Sequence, residues 1–99
     1  MKIKFYYPNS DNNGSLVSPD IIKDFKIRLV KITGGATEYN AKGYYINNDG
    51  MLIEESTDIL ESVTTEAVKD KILAIAHDFK IEASQESVML ELDEEVLFI

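Results

Sequence analysis

Apolar and polar positions alternate strictly over residues 2–7, with Ile3, Phe5 and Tyr7 on one side and Lys2, Lys4 and Tyr6 on the other. That period of two predicts a half-buried strand. The run Pro8-Asn9-Ser10-Asp11-Asn12-Asn13-Gly14-Ser15 is rich in residues that favour tight or left-handed turns, and it reads as a loop. The period then changes. Ile22, Phe25, Leu29 and Ile32 recur at gaps of three and four, which makes one apolar stripe on a helix. Ser18-Pro19-Asp20 supplies its start: Ser caps exposed N–H groups, Pro has no N–H to lose in the first turn, and Asp meets the positive dipole end. Gly34-Gly35 supplies its stop, because Gly adopts the left-handed cap conformation without strain.

Residues 37–46 and 51–63 read as two strands joined by Asn47-Asn48-Asp49-Gly50, a hairpin turn signal. The second strand has no single phase: Ile53, Ile59 and Val63 share one parity, Leu52 and Leu60 the other. A bulge or bend near Ser56 would reconcile them. Thr64 or Thr65 is positioned to cap a second helix, with Glu66 and Asp70 early in it and Val68, Ile72, Ile75 and Phe79 as its core stripe, ending near Glu82. Residues 87–92 form the next strand, with Val88, Leu90 and Leu92 inward. Asp93-Glu94-Glu95 turns the chain into an extra, short C-terminal strand over 96–99. The order β-α-β-β-α-β predicts an α+β domain of ferredoxin-like type, an antiparallel sheet with two helices on one face. The other face of the sheet is left open, or covered by a partner. A chain of 99 residues holds one such core, so residues 1–99 are expected to be a single domain.

Composition narrows the chemistry. There is no cysteine, which excludes disulfides, thiolate metal sites and a thiol nucleophile. The alternating N-terminus lacks the apolar run of a signal peptide, and no segment reaches membrane-spanning length, so a cytoplasmic protein is expected. The net charge of −8 argues against direct nucleic-acid binding. Residues 1–42 hold seven basic and four acidic side chains, a net +3; residues 43–99 hold three basic and fourteen acidic, a net −11. Solubility is the simple reading of that asymmetry, and a polarised surface the functional one.

Gly35-Ala36-Thr37, then Gly43-Tyr44-Tyr45, Gly50, Glu54-Glu55 and Gln85-Glu86-Ser87-Val88 form a spaced pattern over roughly residues 34–90. It resembles a family of small bacterial and phage domains without assigned function. The resemblance implies a ferredoxin-like or dimeric α+β-barrel-like fold and carries no mechanism. Tyr45 stands where a Trp is the family expectation, and either Glu54 or Glu55 matches the family acid.

The hairpin carries the candidate ligand site. Thr37, Tyr39, Lys42, Tyr44, Tyr45, Glu54 and Glu55 combine rings that stack on a planar ligand with hydroxyls, a cation and carboxylates that accept from a base or amine. Cross-strand stabilisation of the sheet is the structural alternative for the same rings. The Thr33–Thr37 glycine loop follows a helix instead of preceding one, so a glycine cap explains it better than a phosphate cradle. Glu54, Glu55, Asp58 and Glu61 have no metal-site spacing and read as a solvated strand face; Asp11-x-Asn13-Gly14 is no calcium loop. No metal, no cofactor and no catalytic residue is expected: His77, the lone histidine, lies beside Asp78 opposite the core stripe. A second apolar stripe, Ile27 and Val30 on the first helix with Leu73, His77 and Ile81 on the second, predicts a homo-oligomer or protein contact.

Three functions fit these features. The first is a non-catalytic module that captures a small polar or nucleotide-like ligand, in one form a phage anti-defence protein that sequesters a signal, with Lys23, Lys26, Arg28 and Lys42 available for a phosphate. The second is an acidic inhibitor that imitates nucleic acid toward a host protein. The third is a small oligomeric enzyme acting through Tyr45 and Glu54 or Glu55.

Overall fold

The computed structural model describes residues 1–10 and 14–99. The elements follow the order β1 (Lys2–Pro8), α1 (Pro19–Thr33), β2 (Thr37–Ile46), β3 (Leu52–Val63), a 3₁₀ turn (Glu66–Val68), α2 (Lys69–Glu82), β4 (Met89–Leu92) and β5 (Glu95–Phe98). The strands form one antiparallel sheet in the order β2-β3-β1-β4-β5. This is the expected α+β architecture, with β5 as the extra strand, and the order is compatible with a ferredoxin-like arrangement. The excluded calcium-loop motif begins at Asp11 and lies mostly outside the described residues.

The core sits between the helices and one face of the sheet. Ile3, Phe5 and Tyr7 are fully buried, as are Leu29, Ile72, Val88 and Leu90. Phe25 of α1 is the centre of a ring cluster: its centroid lies 5.0 Å from Phe5, 5.4 Å from Tyr7 and 4.6 Å from Phe79 of α2. The contacts with Phe5 and Tyr7 are edge-to-face and that with Phe79 is tilted, and such ring packing adds to plain burial. β1 therefore touches both helices with one side, which fixes both on the same face.

The helix ends follow local chemistry. Ser18 Oγ accepts from the Asp20 N–H at 3.3 Å, and Gly34 adopts φ 87° with its N–H on the Val30 carbonyl. α2 differs from expectation. The Thr65 side chain makes no capping hydrogen bond, and a 3₁₀ turn precedes the helix proper. The last two strands also shift: β4 begins at Met89 and β5 runs Glu95–Phe98.

The bulge expected near Ser56 is absent. β3 pairs in continuous register with β1 from Thr57 to Val63 and with β2 from Leu52 to Glu61. Its mixed phase has another cause. β1 ends at the Pro8–Thr57 pair, so residues 42–56 continue as a two-stranded arm with no third strand beside them. Beyond the core neither face of the arm is buried, and the parity rule that sorts apolar from polar positions no longer applies. Tyr44, Ile46, Met51 and Leu52 are all exposed there.

One polar group enters the core with a partner. The buried Tyr7 hydroxyl donates to Glu38 Oε1, and Lys26 Nζ holds the same oxygen at 2.8 Å. Lys26, and after it Tyr7, holds the Glu38 carboxyl below the usual range, while burial pushes the Tyr7 phenol well up. A carboxylate with a depressed folded-state pKa stabilises the fold above its unfolded pKa, and that contribution disappears as pH falls through the folded value. The difference in urea midpoint between the wild type and Glu38→Gln should therefore be constant near neutrality and close in acid. Tyr7→Phe should lower stability by about 1–2 kcal/mol, since it removes a hydrogen bond to a charged acceptor.

Candidate functional site

Strand alternation divides the seven ligand candidates. In the β2–β3 register, odd-numbered residues face the side of the sheet away from the helices, and even-numbered residues face the helix side. Thr37, Tyr39, Tyr45 and Glu55 therefore share the open face. Lys42, Tyr44 and Glu54 lie on the other, where they bind one another: Tyr44 Oη donates to Glu54 Oε1 at 3.1 Å and Lys42 Nζ meets the same atom at 3.2 Å. The bond to Glu54 raises the Tyr44 phenol above its ordinary value. This second group is an ordinary cross-strand cluster on an exposed ribbon.

The open face forms the floor of the larger cleft, about 1150 Å³. Tyr6, Ala41, Gly43, Thr57 and Ile59 lie across the floor, with Tyr45 toward the arm and Met89 and Phe98 toward the opposite edge. Ile59 is buried although it points away from the main core, so it works as an apolar base for the cleft. Gly43 leaves room beside Glu55, whose Cγ lies 3.5 Å from where a Cβ would stand. Leu16, Gln85, Glu86 and Ser87 close the side formed by loops. Gln85 fastens these loops together: its side-chain amide donates to the Ser10 carbonyl at 2.8 Å and the Ala83 carbonyl at 3.0 Å.

Glu55 and Glu86 are the acids of the cleft itself, while Glu54 and its partner Lys42 border it from the other face of the arm. Tyr6 is held as a neutral phenol by donating to Glu91 Oε1 at 2.6 Å; that bond, with burial second, pushes it up to about 12. The remaining cations considered for a phosphate do not line the cleft. Lys26 pairs with Glu38, and Arg28 of α1 pairs with Asp78 of α2 at 2.6 Å on the helix layer. Thr37 lies apart as well, in a smaller groove of about 480 Å³ with Gly35, Glu61 and Val63. Tyr39 is on the open face but lines neither hollow.

Of the seven candidates, Lys42, Tyr45, Glu54 and Glu55 line this cleft, together with Tyr6, Ser87 and Phe98, which were not among them. Tyr6 had a legible signal, its outward parity on an otherwise core-forming strand. Ser87 stood only within the family-like pattern and Phe98 had no signal, because only the return of β4 and β5 brings them beside the hairpin. Of the outward helix stripe, Ile27, Val30, His77 and Ile81 are exposed, but Leu73 is half-buried against the core. Among the described residues no group of three His, Asp or Glu side chains is placed to hold a metal ion. Among the described residues no helix is long and apolar enough to cross a membrane.

Residues 2–98 match the family described as protein of unknown function (DUF3574), and the chain belongs to that family. No curated protein matches it. Among solved structures it is similar to a phage SAM lyase in complex with S-methyl-5′-thioadenosine, with a TM-score of 0.71 and 17% identity over 99% of this chain and 87% of that one. It is similar also to phage SAM lyase in the apo state, with a TM-score of 0.71 and 19% identity over 99% and 86% of the two chains. At such identity the likeness is one of fold.

Proposed function

We propose that this member of the family binds a small nucleoside-type ligand in the cleft on the open sheet face, and that the ligand is neutral or cationic and carries no phosphate. The observation that supports this reading is the makeup of the cleft: aromatic side chains at both ends, Tyr45 and Phe98, an apolar base at Ile59, and an acidic rim. Rings of this kind stack on a planar base, and carboxylates accept from its amino groups and hydroxyls or attract a cationic centre. A phosphate would meet a net negative lining, which opposes it. A protein of similar fold has been solved in complex with S-methyl-5′-thioadenosine, a nucleoside without phosphate, which agrees with the charge of the lining.

Titration calorimetry with S-methyl-5′-thioadenosine, S-adenosylmethionine and AMP tests this. The first two are expected to bind and AMP to bind at least tenfold more weakly. Equal or tighter binding of AMP would reverse the charge argument, and no binding by any of the three would end the reading. A ligand present at a hundredfold excess over its Kd should also stabilise the fold by about 2.7 kcal/mol.

A second reading, turnover of the bound molecule, is favoured by the lyase name of the similar structures. Glu55 is the carboxylate whose strand parity aims it over the cleft floor, and it is the residue to test. Chromatography of S-adenosylmethionine incubated with the protein separates the two readings. An unchanged ligand recovered after denaturation supports capture. Release of S-methyl-5′-thioadenosine that is lost in Glu55→Gln supports catalysis.

A further inference from the structure

The two edges of the sheet are unequal. β5 is an edge of four residues, short enough to offer little to a neighbour. β2 is an edge of ten residues, without proline, without a bulge and with Lys42 as its single lysine. Thr, Tyr and Ile, all strong strand formers, make up half of it. Among the described residues no strand pairs with its outer side. A long, regular edge of this kind lacks nearly every device by which monomeric sheets discourage further pairing.

The register says which backbone groups are on offer. The hairpin closes with the Asn47 N–H on the Met51 carbonyl at 2.9 Å. In an antiparallel ladder, bonded and non-bonded pairs alternate. Counting back from Asn47, odd-numbered residues of β2 exchange bonds with β3. Glu38, Asn40, Lys42 and Tyr44 therefore turn their N–H and C=O groups toward the free edge.

We propose that two copies of this chain pair through this edge, β2 against β2 in antiparallel sense, about a two-fold axis at Asn40. Charge selects the partner and the register. With Asn40 facing its symmetry mate, Glu38 of each copy, which also meets Lys26 of its own chain, stands directly opposite Lys42 of the other, which also meets its own Glu54; both side chains are on the helix side of the sheet. The axis produces this favourable pair twice, and opposite charges at facing positions stabilise a ladder. Shifting each strand by two residues would put Lys42 against Lys42 instead. In the chosen register residues 37–43 of the two copies face one another along the edge. The two sheets become one of ten strands.

Sedimentation equilibrium of the full chain, paired with hydrogen exchange, tests this. The wild type is expected to form a dimer, with the amides of 38, 40 and 42 exchanging more slowly as concentration rises. Asn40→Pro removes an outward N–H and leaves the bonds to β3 in place, so it should remain folded by circular dichroism and become monomeric. Lys42→Glu, on an exposed side chain, should raise the dimer Kd at least tenfold, because Glu38 then faces a like charge. It also decides the matter if Asn40→Pro fails to fold. A wild type that stays monomeric overturns the proposal, as does a dimer whose Kd is unchanged by Lys42→Glu. A dimer that survives both substitutions and separates on Ile81→Lys would place the contact on the helices and overturn it equally.

Discussion

Phe25→Ala is expected to destabilise the protein by about 3–5 kcal/mol, the usual range for emptying a core aromatic site. Phe25 is 2% exposed and contacts three other rings, Phe5, Tyr7 and Phe79, which come from β1 and α2. It is the point at which α1 is held to the sheet and to the other helix at once. Removing it takes away buried area and also leaves a cavity among three rigid rings that cannot close around it easily. A domain of this size has roughly 5–15 kcal/mol of total stability. The loss should lower the melting temperature by about 4–8 °C for each kcal/mol. A urea denaturation series measures it directly, and a loss below about 1 kcal/mol would mean that the ring cluster is not the centre of the fold. Phe25→Leu, which retains most of the volume, should recover much of the difference.

The second large effect falls on affinity and leaves stability nearly untouched. Tyr45 is 51% exposed, lies on the arm and contributes little to the core. Tyr45→Ala should therefore leave the urea midpoint almost unchanged. If the ring stacks on a nucleoside base, its removal should weaken binding of S-methyl-5′-thioadenosine by about 1–3 kcal/mol, roughly tenfold to a hundredfold in Kd. Tyr45→Phe should retain most of the affinity, because stacking needs the ring and not the hydroxyl. Tyr44→Ala is the internal control. Tyr44 is the adjacent residue with similar exposure, but strand parity aims it to the opposite face, onto Glu54. Equal losses from both tyrosines would show that the arm acts as a whole and would remove the argument from parity. A loss confined to Tyr45 assigns the ligand to the open face.

The contrast between Phe25 and Tyr45 reflects how much of each region is written locally. Phe25 belongs to a stripe of period 3.6 flanked by a capping Ser and a terminating Gly, and these signals act over a few residues. They predicted α1 to within a residue at either end, and the inward parity of β1 and β4 was equally plain. Where local signals are weak, tertiary context decides the element's start. Thr65 has the right side chain for a cap, but the chain enters α2 through a 3₁₀ turn and leaves that hydroxyl unused for capping.

What the sequence determined by itself was the order of elements, the core face of each and the class of fold, because periodicity and capping are properties of neighbours along the chain. Tertiary structure alone decided the makeup of the candidate cleft. The hairpin residues looked like one cluster when read in a line, but pairing sent Tyr45 and Glu55 to one face and Lys42, Tyr44 and Glu54 to the other. It also explained the unphased β3, since β1 stops at Pro8, opposite Thr57, and leaves the arm without a core to sort its side chains. Tyr6, Phe98 and Ser87 are far apart in sequence and meet in the cleft only because β4 and β5 return beside β1. Contacts of that range depend on strand order, and no local pattern encodes which strand will lie beside which.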